Sequence, residues 1–257
     1  MTNFQDDFLG RRRGTWRGAI PPAQPQGVRL IGIAGPTMLT ESGSYMLTTG
    51  VDVSSSTGAG ITISGNNITL DLNGFAITGA GNASGAGVRI VGARNIVVKN
   101  GSIESALMGV VAMNSSNVRI ENLRIRGLSG APPEAGIMFV ATSNSVITNN
   151  QILNTALGIF IRGGATFGNR IEGNTLTASA TNSPLGICYN PSDSDSNGPK
   201  GDLITRNLIR GYRQSLAFGD SSEFNVAEGN TFIFRVSPSS SPNTTNLVRN
   251  NTEVKIN

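Results

Sequence analysis

The 257-residue chain contains no histidine and a single cysteine, Cys188. The first absence removes the side chain most often used as a general base. The second excludes an internal disulfide. Aromatic residues make up 5% and charged residues 14% of the chain, and no apolar run reaches 18 residues, so no membrane-spanning segment is expected. The opening MTNFQDDFLGRRR sets acids before its basic cluster and has no apolar stretch, which argues against a signal peptide. The net charge of +4 owes much to Arg11, Arg12, Arg13 and Arg17. Beyond them basic and acidic residues alternate, so no nucleic-acid partner is expected.

Glycine, by contrast, is plentiful at 33 residues, and a repeat accounts for it. From Gly60 to Phe232 one pattern recurs seven times: Gly, an alternating apolar strand, a turn, a second strand, Asn or Gly, and a third strand. The copies read GITISGNNITLDLNGFAI, GVRIVGARNIVVKNGSI, GVVAMNSSNVRIENLRI, GIMFVATSNSVITNNQI, GIFIRGGATFGNRIEGNTL, GICYN…GDLITRNLI and SLAFGDSSEFNVAEGNTF. Each is too short to bury its own apolar face, so the copies must stack.

Aligned on Gly74, Gly101, Leu123, Asn150, Asn174, Asn207 and Asn230, the copies lie 27, 22, 27, 24, 33 and 23 residues apart. The shortest spacing holds three strands of about five residues, and longer ones carry side loops. Ile61-x-Ile63, Val88-x-Ile90, Ile137-x-Phe139, Ile159-x-Ile161, Ile187-x-Tyr189 and Leu216-x-Phe218 alternate with period two, one residue inward and the next outward. The turn before the third strand is rich in asparagine: Asn73, Asn100, Asn122, Asn149, Asn174, Asn207 and Asn230. Asparagine tolerates a left-handed corner, and its amide can bond to the next copy.

On these residues the chain resembles the pectin-lyase-like superfamily of right-handed parallel β-helices, from about Pro36 to its end. TMLTESGSYMLTTGVDV followed by NITLDLNGFAITG is similar to the first rung of that superfamily, and LVRNNTEVKI reads as a last, degenerate one. The expected fold is all-β: a single-stranded right-handed parallel β-helix of about eight rungs over residues 36–257, preceded by a non-repetitive arm or cap over residues 1–35. At about 4.8 Å per rung the rod would be on the order of 40 Å long.

Alternation also sorts the outward residues. On the second strand they are Asp71, Lys99, Glu121, Thr148, Glu172, Thr205 and Glu228; around the third-strand aliphatic stand Glu104, Arg124, Arg126, Gln151, Thr177 and Arg210. Both faces are polar. The first strand instead aligns Val91, Val111, Met113, Met138, Val140 and Phe160 in an apolar patch. Such a patch is expected to be an interface, in a homo-oligomer or with a partner, or the seat of loops or the arm folding back. The resemblance implies that a polysaccharide-cleaving relative would carry carboxylates, a basic residue or calcium ligands here. The outward positions hold no Asp or Glu, only Arg89 and Arg162. Glycoside hydrolysis normally uses paired carboxylates, so no catalytic residue is expected on this sheet. The resemblance carries over a fold and not an activity.

Three other features could hold ligands. In the longest insertion, Asp193-x-Asp195-x-Asn197-Gly198 matches the first half of a calcium loop. Ile204 stands at the twelfth position where a bidentate Glu belongs, leaving Asp202 as the substitute; a solvated turn without an ion fits the same residues. Calcium is the one candidate ion, and no cofactor is required. Tyr212 and Arg213 could stack on a sugar ring or simply cover a rung corner. The non-repeating start, with Phe4, Arg11, Arg12, Arg13, Trp16, Arg17 and then Pro21, Pro22 and Pro25, reads as an extended arm, either capping the first rung or attaching the chain to a larger assembly.

The arm, the apolar face and the missing catalytic set lead to the expectation of a non-enzymatic structural component of a larger assembly. Phage tailspikes also have β-helix bodies. The concrete expectation is therefore a spike or decoration protein of a phage or phage-like particle, located on the virion and able to touch surface polysaccharide. Outside such a particle, a cytoplasmic location is expected. The alternative is a pectin-lyase-like carbohydrate-active enzyme, a polysaccharide lyase or depolymerase.

Overall fold

The alternating aliphatics stack in register. The computed structural model describes residues 30–53, 58–79, 85–104, 108–126, 135–178, 185–190, 198–234, 237–240 and 245–255, and every regular element among them is a β-strand. Pairing is parallel, in one nine-stranded and one seventeen-stranded sheet. The larger sheet is two columns joined at a corner, because Arg94–Glu104 and Ser116–Arg126 each run unbroken through both. The first described strand, Leu30–Ile33, pairs with Gly43–Leu47, so residues 30–33 of the non-repeating segment are already part of the large sheet.

Three inward columns make the core. The small sheet contributes Ile61, Val88, Val110, Ile137, Ile159, Ile187 and Leu216, one above another. The large sheet contributes Leu70, Val98, Ile120, Ile147, Ile171, Ile204 and Ala227 in one column. Its second column contributes Ile77, Ile103, Ile125, Ile152, Leu176, Ile209 and Phe232. All are buried in one continuous cluster. Each such aliphatic side chain contributes about 1.5–3 kcal/mol by leaving water, which is how copies too small to fold alone become stable together.

The glycine that opens six of the seven copies, with Ser215 in its place in the last, is required by space. A Cβ on Gly136 would stand 2.6 Å from Ile152 Cγ2 and 2.7 Å from the Gly158 carbonyl. Gly60 is crowded in the same way, by Ile77 Cγ2 at 2.8 Å and the Gly87 carbonyl at 2.9 Å. Here the chain enters the small sheet, against the core aliphatic of the third strand of the same copy.

The asparagine corner divides into two roles on adjacent residues. Asn73, Asn100, Asn122, Asn149, Gly173, Arg206, Gly229 and Asn250 adopt positive φ. The next residues, Asn150, Asn174, Asn207 and Asn230, are buried instead and bond from rung to rung. The expected spacing holds from Gly101 to Asn230. Gly74 is one residue out, because Ala76 pairs with Ser102 and so puts Phe75 opposite Gly101.

Candidate functional site

The small sheet brings the predicted apolar residues together as its register demands. Val111, Met138, Phe160 and Cys188 form one outward column, and Val91, Met113, Val140 and Arg162 the next. Their exposure departs from that of an open patch. Val111 is 1%, Met138 9% and Phe160 7% exposed within the single chain, Met113 and Val140 are half-buried, and only Val91 is open. Together with Ala86, Ala135 and Cys188, and with Met108, Leu157 and Leu185 packed alongside, they form a second apolar cluster on the outside of the sheet. The apolar surface of Val111, Met138 and Phe160 has thus largely left water within the single chain. Burial also pushes the Cys188 thiol up to about 12.

Two further expectations are corrected. Tyr212 is fully buried, with its hydroxyl 3.0 Å from Thr155 Oγ1, so its ring fills the core and cannot stack on a sugar; Arg213 beside it is exposed. Asp202 is buried as well. Its Oδ1 accepts the Asn169 backbone N–H at 2.7 Å, and its Oδ2 accepts the Tyr189 hydroxyl at 3.2 Å and Asn169 Nδ2 at 3.4 Å. It faces inward and cannot complete a surface calcium loop. Asp193, Asp195 and Asn197, and the arm residues Phe4, Arg11, Arg12, Arg13, Trp16 and Arg17, lie outside the described residues. Among the described residues no group of three metal-ligating side chains converges, and no helix is long and apolar enough to cross a membrane.

The outer surface that stands open was not singled out from the sequence. It is the corner where the chain passes from the small sheet into the large one. Asn67, Asn95, Asn117, Asn144, Gly168, Gly201 and Phe224 occupy this corner on successive rungs, all with positive φ. The first three stack their amides: Asn95 Nδ2 donates to Asn67 Oδ1 and Asn117 Nδ2 to Asn95 Oδ1, each at 2.7 Å. Gly168 and Gly201 then present no side chain. A shallow cavity of about 370 Å³ opens there, bordered by Asn144, Val146, Arg170 and Leu203. Phe224 ends the run of positive φ, 62% exposed, in a left-handed conformation that costs a bulky residue on the order of 1–3 kcal/mol. Phe167, also exposed, precedes Gly168, and the Lys200–Glu223 ion pair lies alongside at 3.9 Å. The only sequence signal is that Phe224 stands where other copies have Asn or Gly.

This corner combines aromatic and aliphatic surface with amide and guanidinium donors, a combination suited to binding a neutral or anionic polar ligand with apolar faces. Among the described residues that border the cavity there is no carboxylate for hydrolysis. The outward positions of the small sheet likewise carry no acid.

Comparison with known proteins agrees with this architecture. The profile of the family described as "Right handed beta helix region" matches residues 37–196, more than half of the chain. The chain belongs to the right-handed β-helix family. Among solved structures it is similar to the Dettilon tailspike protein, at 16% identity and a TM-score of 0.60, covering 88% of this chain and 55% of that one. It is also similar to an alginate lyase from Paenibacillus sp. str. FPU-7, at 13% identity and a TM-score of 0.53, covering 87% of this chain and 95% of that one. A tailspike variant of E. coli bacteriophage HK620 in complex with a hexasaccharide matches at 11% identity and a TM-score of 0.52, covering 87% of this chain and 55% of that one. The chain thus spans about half the length of these tailspikes. At such identities the likeness is one of fold. No curated protein sequence matches.

Proposed function

We propose that this chain is a polysaccharide-contacting β-helix body of a phage or phage-like particle spike, and that the corner between Asn144 and Phe224 is its contact surface. The observation that carries the reading is Phe224 itself: an exposed aromatic residue at positive φ, one rung beyond the two glycines that border the cavity. An aromatic ring stacks on the CH face of a sugar, while Asn144 and Arg170 supply donors for its hydroxyl or carboxylate oxygens. The tailspike-like fold, including a relative solved with a hexasaccharide, supports the ligand class. In this reading the segment from Phe4 to Pro25 attaches the chain to the particle.

Calorimetric titration against a panel of bacterial surface polysaccharides tests the proposal. A binding polysaccharide is expected. Phe224→Ala should weaken it about tenfold, the size of one aromatic contact, with thermal unfolding no worse than in the parent. Failure to bind any polysaccharide would reject the function, and unchanged affinity in the variant would reject the corner.

The second reading is a polysaccharide lyase or depolymerase. The alginate lyase similarity favours it, because that match covers nearly the whole of the other chain. Shortened oligosaccharides, or unsaturated ends absorbing in the ultraviolet, would appear in the same incubations if it holds.

A further inference from the structure

The first column of the large sheet has an inward position held by Ile68, Ile96 and Val118, and then by Ser145, Asn169, Asp202, Asn225 and Asn246. Apolar residues thus give way to a polar ladder, most of it buried. Each amide in it makes the same two bonds. Its Oδ1 accepts the backbone N–H of the preceding ladder residue: Ser145 to Asn169 at 3.0 Å, Asp202 to Asn225 at 3.0 Å, and Asn225 to Asn246 at 3.1 Å. Its Nδ2 donates to a carbonyl of the preceding rung: Asn169 to Thr142 at 3.0 Å, Asn225 to Pro199 at 3.2 Å, and Asn246 to Ser222 at 2.7 Å. That carbonyl always belongs to the third residue before the preceding ladder residue. For Asp202 the equivalent residue is Thr166.

Asp202 keeps the first bond through Oδ1. Its Oδ2 replaces the NH2 group of its neighbours and accepts from Tyr189 and Asn169, while the Thr166 carbonyl takes the Lys200 backbone N–H at 3.1 Å. A carboxylate has no hydrogen to donate there, whereas a carboxylic acid has one. Among the described residues no cation compensates a charge at this place. Arg170 pairs with Glu172 at 3.0 Å and Lys200 with Glu223 at 3.9 Å, on the outer surface. Tyr189, packed against Asp202 from the small sheet, is itself fully buried, and its hydroxyl is held well above its usual range. Burial pushes the Asp202 carboxyl up to about 6, against the opposing effect of its hydrogen bonds from Asn169 and Tyr189.

We propose that Asp202 is a proton-operated element of this ladder. As the acid it takes an asparagine's place and closes the stack, and as the carboxylate it opens it, so that the rungs around Asn169, Asp202 and Asn225 hold more tightly in mild acid than at neutral pH. The proposal is independent of the polysaccharide reading. In the unfolded chain the carboxyl titrates near its ordinary value of about 4. The folded state therefore binds the proton more tightly. Its contribution is fully present below about pH 4 and is lost as the pH rises through about 6, on the order of a hundredfold in the folding equilibrium.

Two measurements test this. Carbon-13 NMR of the unsubstituted chain should show the Asp202 carboxyl titrating near 6; a midpoint at or below the ordinary carboxylate value would overturn the proposal, whether or not any variant folds. Melting curves from pH 4 to 7.5 should show Asp202→Asn gaining on the parent as pH rises, because the amide restores the missing donor. A difference that stays constant with pH would overturn it equally.

Discussion

Asn174 Oδ1 accepts two hydrogen bonds from Asn150, one from the backbone N–H and one from Nδ2, each at 3.0 Å. Asn174 Nδ2 meanwhile donates to Asn207 Oδ1 at 3.0 Å and to the Ile147 carbonyl at 2.9 Å. The unit repeats through Asn207, Asn230 and Asn251, so one side-chain type satisfies the backbone at a buried corner of every rung it crosses.

Replacing Asn174 by alanine strips partners from buried groups on both adjacent rungs. It is expected to destabilise the fold by about 2–4 kcal/mol, since each unsatisfied buried group costs on the order of 1–3 kcal/mol. Asn149→Gly, at the exposed positive-φ position beside the ladder, should stay within about 0.5 kcal/mol. Urea unfolding of the two variants checks the contrast.

The opening glycines allow a second comparison. Gly136→Ala pushes a methyl group against Ile152 and the Gly158 carbonyl and should cost about 1–3 kcal/mol or more. A Cβ on Gly35 would meet nothing within 4 Å, so Gly35→Ala should leave the unfolding midpoint almost unchanged.

The outer apolar column predicts a stability effect and not an assembly effect. Phe160→Ala opens a cavity in a packed cluster and should destabilise by about 3–5 kcal/mol. The mass measured by light scattering should match that of the parent. A lowered mass with unchanged stability would restore the interface reading.

Cys188 should resist thiol reagents in the folded chain, because it is buried and its thiol is held up at about 12. Labelling by an aromatic disulfide reagent is expected to rise in step with urea unfolding. Fast labelling of the native chain at neutral pH would show that the cluster opens.

Much of this was legible in the chain. The period-two aliphatics place Ile137 and Phe139 inward and Met138 outward, and the spacing between Asn150, Asn174, Asn207 and Asn230 is the spacing of the rungs. Alternation reports which way a side chain points; it cannot report whether anything lies over it. For that reason Val111, Met138 and Phe160 read as an open patch and are in fact buried. Tyr212 failed for a related reason: a connecting Arg-Gly-Tyr-Arg segment looks superficial, yet its ring reaches inward to Thr155, 57 residues earlier.

The amino-acid sequence by itself determined the solenoid, because copies this small can bury their apolar faces only against one another. It also determined where glycine must stand and which sheet carries no acids. Tertiary structure alone decided the roles of single polar residues. Asp202 follows a Ser/Asp/Gly-rich insertion that resembles a surface calcium loop, but its partners Asn169 and Asn225 lie 33 and 23 residues away on adjoining rungs. Stacking brings those distant residues within hydrogen-bond reach, and the same stacking takes the carboxyl out of water.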